Sequence, residues 1–249
     1  MNTWKFLIFL LIAISFIFYG CDDDENEHDD LTNPSDMPYN LVIYPSNFVD
    51  VDITGNSYFP LIPGTTFSYE GEDEDGAVIL VEEYVTDSTK VIMGVTCVVM
   101  ENTEWEDGEL VEDTDDWYAQ DLNGNVWYFG EFVENYEDGV FEDNEGSWEA
   151  GVDGALPGII MFAEPYIGVW YRQEYYEGEA EDVALVLSLT ETVTVPYGTF
   201  TDCLQVAEWN PLEPGVVEHK FYAPGIGLIR AVAVEGESGY EDLVNIENL

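Results

Sequence analysis

Two histidines, three cysteines and 53 acidic residues are the side chains from which this 249-residue chain can build a reactive or ligand-binding site. His28 lies in an acidic stretch with Asn33-Pro34-Ser35 close behind it. His219 alternates with Val217 and Phe221, a spacing of two that turns all three toward packed side chains if the segment is a strand. His219 therefore reads as a structural residue. The chain has no Gly-x-Ser-x-Gly elbow, no phosphate-binding glycine loop and no His-Glu-x-x-His zinc helix. Two well-placed carboxylates suffice for glycoside hydrolysis, but among 53 acids the sequence singles out no pair. The expectation is a protein that is not an enzyme.

Calcium is the metal that so many carboxylates suggest. Asp121-Leu122-Asn123-Gly124-Asn125-Val126 begins like a calcium loop, but Val126 stands at the sixth position and Phe132 at the twelfth. Those positions require Gly and a bidentate Glu, so the segment reads as a hairpin turn. The clusters Asp113-Asp115-Asp116 and Glu142-Asp143-Glu145 are candidates for weak calcium binding, with solvated acidic loops as the alternative. The sequence assigns no metal ligands and implies no cofactor beyond such loosely held calcium.

The N-terminus carries chemistry of another kind. Lys5 precedes the apolar run Phe6–Tyr19, broken only by Ser15, and Gly20-Cys21 is followed by Asp22-Asp23-Asp24-Glu25. A cationic start, a short hydrophobic stretch and a small residue before the cut form a secretory signal. The run is shorter than the roughly 20 apolar residues a membrane span needs. Phe18-Tyr19-Gly20-Cys21 resembles a bacterial lipobox, with Phe18 and Tyr19 in place of the usual Leu and small residue. The acidic run behind it is similar to the tether of Bacteroidetes surface lipoproteins. The resemblance implies that Cys21 is acylated and becomes the mature N-terminus, with residues 1–20 removed. Such a protein is exported and held at the outer membrane or cell surface through its lipid. In that oxidising setting Cys97 and Cys203 are candidates for a disulfide, two buried free thiols being the alternative.

The net charge of −48 excludes nucleic acid and anionic lipid as electrostatic partners, since both need a basic face. Cations are the natural counterpart. Lys90, Arg172, Lys220 and Arg230 are the basic residues beyond the signal, so self-repulsion rises as salt falls and the screening length grows from about 8 Å at physiological salt to about 30 Å at 10 mM.

Beyond these sites, the dominant pattern along the chain has a period of two. Val183, Leu185, Leu187, Leu189, Val193 and Val195 alternate with Ser188, Thr190, Thr192 and Thr194, as in a half-buried strand. Similar runs cover 66–70, 78–86, 95–105, 110–119, 126–136, 169–176, 200–209, 216–222 and 228–234. Glu74-Asp75-Gly76, Asp107-Gly108, Asn123-Gly124, Asp138-Gly139 and Pro214-Gly215 punctuate them, and Asn-Gly and Asp-Gly favour tight hairpins. No ten-residue stretch shows a helical stripe, although 154–161 could hold a short turn. The expectation is all-β: one curved antiparallel sheet or half-barrel of meander hairpins over 58–249, after a lipidated Cys21 and a flexible acidic spacer over 21–57. Trp117-Tyr118, Trp127-Tyr128-Phe129, Trp170-Tyr171 and Tyr175-Tyr176 put rings on both strand faces, for core packing, cross-strand pairing, a sugar platform or an apolar lining.

Three blocks, 58–69, 193–200 and 222–228, resemble a widespread group of bacterial exported β proteins. They look like the lead-in to a first long strand, a hairpin corner before the strand of Cys203, and the bend into the last hairpins. The likeness covers about 58–247 and implies a fold without implying a reaction. A looser similarity to lipoprotein carriers of the LolA and LppX kind concerns architecture alone. The expected role is a non-catalytic binding or structural module of the cell envelope. The alternatives are a carrier or sensor of a hydrophobic ligand and a calcium-dependent adhesion or glycan-binding protein.

Overall fold

The computed structural model describes residues 39–50 and 53–248; the signal segment, Cys21 and the spacer up to residue 38 lie outside the described residues. Local sequence produces the strands directly. At Asp107-Gly108 and Asp138-Gly139 both residues take positive φ (50° and 84°, 52° and 70°), as a type I′ turn demands. Met93-Gly94 does the same at 50° and 81°. The resulting strands are β1 (Thr66–Glu72), β2 (Val78–Ile92), β3 (Val95–Glu106), β4 (Glu109–Gln120), β5 (Val126–Glu137), β6 (Val140–Asp143), β7 (Trp148–Glu149), β8 (Leu156–Met161), β9 (Trp170–Arg172), β10 (Glu174–Tyr175), β11 (Val183–Val195), β12 (Gly198–Trp209), β13 (Val217–Ala223), β14 (Gly227–Glu235) and β15 (Tyr240–Glu247). Among the described residues the only helix is the 3-10 turn Pro45–Asn47.

All fifteen strands belong to one antiparallel sheet, ordered β10-β8-β5-β4-β3-β2-β1-β15-β14-β13-β12-β11-β9, with β6 and β7 against β5. It is two meanders joined through the first and last strands, β1 and β15. The sheet is open, since no ladder joins β8 to β9. It is nevertheless rolled, because its edge strands β9 and β10 are consecutive in the chain with only Gln173 between them. The edges meet at Gly158, where a Cβ would stand 2.2 Å from the carbonyl carbon of Gln173. Only glycine lets the two backbones approach so closely.

One end of the roll is closed by the segment before β1. Phe48 bridges Asp121 and packs its ring against Trp127 and Phe129. Ile53 is buried in the core, Asn56 donates to the carbonyls of Gly124 and Phe162, and Phe59 packs at a tilt against Tyr118 and Tyr222. The three blocks that the sequence singles out gather here: Gly225 N–H donates to Ser57 O, Tyr58 OH to Asp202 O, and Tyr197 N–H to Leu243 O.

Several expectations are corrected. The spacer cannot extend to residue 57, because from Tyr39 onward the described chain lies on the fold. Tyr39 donates to Pro157 O and packs on Tyr175. Isolated anchors of this kind leave no periodic trace. Residues 156–161 form β8 rather than a turn, and 169–176 is two strands, not one. In β11 the register shifts after Val186, so Ala184 and Val186, not Leu185 and Leu187, face inward beside Glu208 and Val206. In β13 the parity is the reverse of that expected: His219 and Phe221 lie opposite Val232 and Arg230 on the convex face, leaving Glu218, Lys220 and Tyr222 inside. His219 is indeed satisfied there, by Gln205 at 3.0 Å.

Candidate functional site: an acidic cavity inside the sheet

The rolled sheet encloses a cavity of about 210 Å³, and its wall is built from inward positions of the long strands. Strand register stacks these positions in rungs. Glu104 on β3 faces Glu112 on β4. One rung deeper Asn102 faces Thr114, which faces Val133. Deeper still Met100 faces Asp116, and Asp116 faces Glu131 on β5. The floor is Tyr118 stacked on Tyr128, centroids 5.0 Å apart, with Trp148 edge-on to Tyr128. From the other meander come Glu208, Lys220 and Glu241, and from the edges Glu174 and Asp182. The lining extends to the exposed Glu145, so the cavity meets solvent beside residues 143–147.

Ten of the 22 lining residues are acidic and one, Lys220, is a cation. Lys220 Nζ lies 2.8 Å from Glu208 and 3.4 Å from Glu218. Burial works against its charge, but those two carboxylates more than offset it and raise its pKa well above the usual value. Burial pushes Glu83 up to about 7 despite the hydrogen bond from Tyr69 and the charge of Lys220. Burial likewise lifts Asp116 to about 7, against the Tyr128 hydroxyl that donates to it at 2.6 Å and with Glu83, Glu112 and Asp115 adding to the rise. Asp182 and Glu218 reach about 7 by burial, opposed by Lys220. Glu241 reaches about 8 by burial and the charge of Glu218. Glu104, Glu131 and Glu174 are raised well above the ordinary range, again chiefly by burial. Crowded, desolvated carboxyls keep their protons because like charges and low dielectric both disfavour ionisation. The interior carboxyls are therefore held toward their protonated forms near neutral pH.

Glu131, Glu174 and Glu241 each keep Oε1 buried without a well-formed hydrogen bond, although Trp148 and the Asp182 backbone lie in hydrogen-bonding range of Glu174 and Tyr128 of Glu131. Buried acceptors of this kind are normally satisfied. Facing carboxyls such as Asp116 and Glu131 also resemble the pairs that divide acid and base roles in hydrolases.

The residues expected to carry chemistry fall elsewhere. Cys97 and Cys203 are both free and buried, which corrects the disulfide. They sit on β3 and β12, six strand steps apart in the sheet, whereas a disulfide needs Cα atoms about 4.4–6.8 Å apart. Burial pushes the Cys97 thiol up to about 12, so each behaves as a small apolar core residue. Asp121 closes a hairpin: Oδ1 accepts from the amides of Asn123 and Asn125, and Oδ2 from Asn125 Nδ2 and Trp127 Nε1. The Asp113-Asp115-Asp116 cluster is divided by the sheet, with Asp116 inward and its neighbour Asp115 outward. Asp143 accepts from Asn135 and the Glu145 amide. Among the described residues no three His, Cys, Asp or Glu side chains converge as a metal centre. The rings of Trp117 and Trp127 face away from the cavity; Lys90 Nζ lies 3.2 Å from the Trp117 centroid.

The fold and site define a single-sheet all-β domain with an acidic interior. A protein from Bacteroides fragilis, assigned as exported and as having a YmcC-like fold, is similar at a TM-score of 0.47 and 17% identity, over 78% of this chain and 100% of its own. A protein from Parabacteroides distasonis, assigned as a lipoprotein, is similar at 0.43 and 16%, over 77% and 99%. At these scores neither defines a role for this chain. No protein-family model and no curated protein matches it.

Proposed function

We propose that this chain is an exported lipoprotein of the bacterial envelope, anchored through Cys21, whose domain is a non-catalytic binding module that takes a cation into its acidic cavity. The anchor is supported by the N-terminal sequence, and the ligand class by one observation: ten acids and a single lysine line the interior, three of the acids with a buried oxygen that lacks a well-formed hydrogen bond. The wall also carries Val81, Met100, Val133, Ile160, Leu228 and Ala231, but an apolar ligand buried there would leave the carboxyls without partners. The aromatic residues nearest the cavity form its floor instead of an apolar lining throughout. Calcium-dependent adhesion draws no support from Asp121 or from the divided clusters.

Two measurements test this reading. Acyl-probe labelling in a bacterial host should mark the wild type and not Cys21→Ala. Thermal melts of the purified lipoprotein with a panel of inorganic and organic cations, at matched ionic strength, should show at least one cation stabilising the fold beyond screening. Equal shifts from every salt, or hydrolysis of a glycan or ester panel that Asp116→Asn abolishes, would overturn it.

A further inference from the structure

On the reading that the cavity is the ligand site, its rungs specify what kind of cation fits. Glu104 and Glu112 form one facing carboxyl pair and Asp116 and Glu131 another. Between them lies a rung without an acid on β3, β4 or β5: Asn102, Thr114 and Val133. Glu112 and Asp116 are four residues apart on the same face of β4, about 13 Å along the strand. Two acidic centres on β3, β4 and β5 are thus separated by a rung whose one acid is Glu83, contributed by β2. Glu83, on β2 beside this middle rung, already accepts the Tyr69 hydroxyl.

This spacing is wrong for a metal ion, which needs six to eight oxygens at about 2.3–2.6 Å around one point if it is calcium. It suits a slender molecule with positive charge at both ends. An ammonium offers three donors and no acceptor, the complement of a wall whose atoms without a well-formed hydrogen bond are carboxyl oxygens, Glu131 Oε1 and Glu241 Oε1 among them. Those two residues are 7% and 8% exposed. The volume of about 210 Å³ corresponds to about seven waters, room for a thin aliphatic chain and too little for a nucleotide or a folded peptide.

We infer that the cavity binds a linear aliphatic polyamine, one ammonium seated between Glu104 and Glu112 and the other between Asp116 and Glu131, with the methylene chain passing Thr114 and Val133. Each ammonium takes the place of protons held by its carboxyl pair, so binding releases protons to solvent. On the opposite wall Lys220 is held by Glu208 and Glu218.

The test is calorimetric titration of the detergent-solubilised lipoprotein at physiological ionic strength with spermidine, with putrescine, which reaches only one pair, with calcium chloride, and with a neutral hexose. Spermidine should bind about ten-fold or more tighter than putrescine or calcium, with an enthalpy that changes with buffer ionisation as protons are released. Glu112→Gln and Glu131→Gln should each weaken spermidine by about ten-fold, while Glu82→Gln on the convex face leaves it unchanged. Spermidine affinity insensitive to both cavity substitutions would mean surface attraction and overturn the inference. Tighter calcium than spermidine would overturn it while leaving a cation receptor. Binding of the hexose alone, or of nothing, would remove both. Should either variant fold poorly, the buffer-dependent enthalpy of the wild type still decides, because surface attraction to ionised carboxylates releases no protons.

Discussion

The acidic interior makes a quantitative prediction about stability, tested most directly at Glu241. This residue sits on β15, opposite Gly71 and Ala231, buried, with Oε1 unpartnered. Its pKa rises from 4.5 to about 8 through burial and the nearby Glu218. A carboxyl raised on folding stabilises the fold below its unfolded pKa and loses that contribution as pH rises through the folded value. The window therefore runs from about pH 4.5 to about pH 8. At about 1.4 kcal/mol per pKa unit, the loss attributable to this group is on the order of 3 kcal/mol by pH 7 and approaches 5 at the top of the window. Glu241→Gln keeps the shape and removes the charge. Urea denaturation should show the variant near wild-type stability at pH 5 and more stable by about 1–3 kcal/mol at pH 7.5, a range that allows for solvent relaxation around the site. The wild type itself should melt at a higher temperature at pH 5 than at pH 8. An equal effect of the substitution at both pH values, or a loss of stability at pH 7.5, would refute the claim that this carboxyl is forced to ionise inside the fold.

Two further outcomes follow from the packing. Gly158→Ala should cost more than about 3 kcal/mol, because its Cβ would stand 2.2 Å from the Gln173 carbonyl carbon; hydrogen exchange should quicken at β8 and β10, and near-normal stability would show that the edges do not meet there. Cys97 and Cys203 should resist a maleimide in the native protein and both react in denaturant without reductant; a mobility shift on reduction would contradict their free state.

Much of the scaffold is legible in the residues. Asp107-Gly108 and Asp138-Gly139 announce their turns, and β3, β4, β5 and β12 match their alternation closely. β15 is the instructive miss. Tyr240-Glu-Asp-Leu-Val-Asn-Ile-Glu247 is absent from the alternating runs because Glu241 stands where an apolar residue is expected, yet this strand joins the two meanders at the middle of the sheet. The same substitution of acid for apolar conceals the site: Glu83, Glu104, Asp116 and Glu131 occupy inward positions in strands whose convex faces are acidic as well.

The chain by itself determines that there are strands, where they turn, that a short apolar run ending in Gly20-Cys21 precedes them, and that positive charge is scarce. Those properties depend on neighbours within a few residues. Which acids face inward depends on parity, and one bulge reverses parity for the rest of a strand. Which of them face one another depends on β1 meeting β15 and on the edges being drawn together at Gly158 and Gln173. Only the assembled roll decides that, because desolvation and charge crowding act between residues that the sequence keeps far apart.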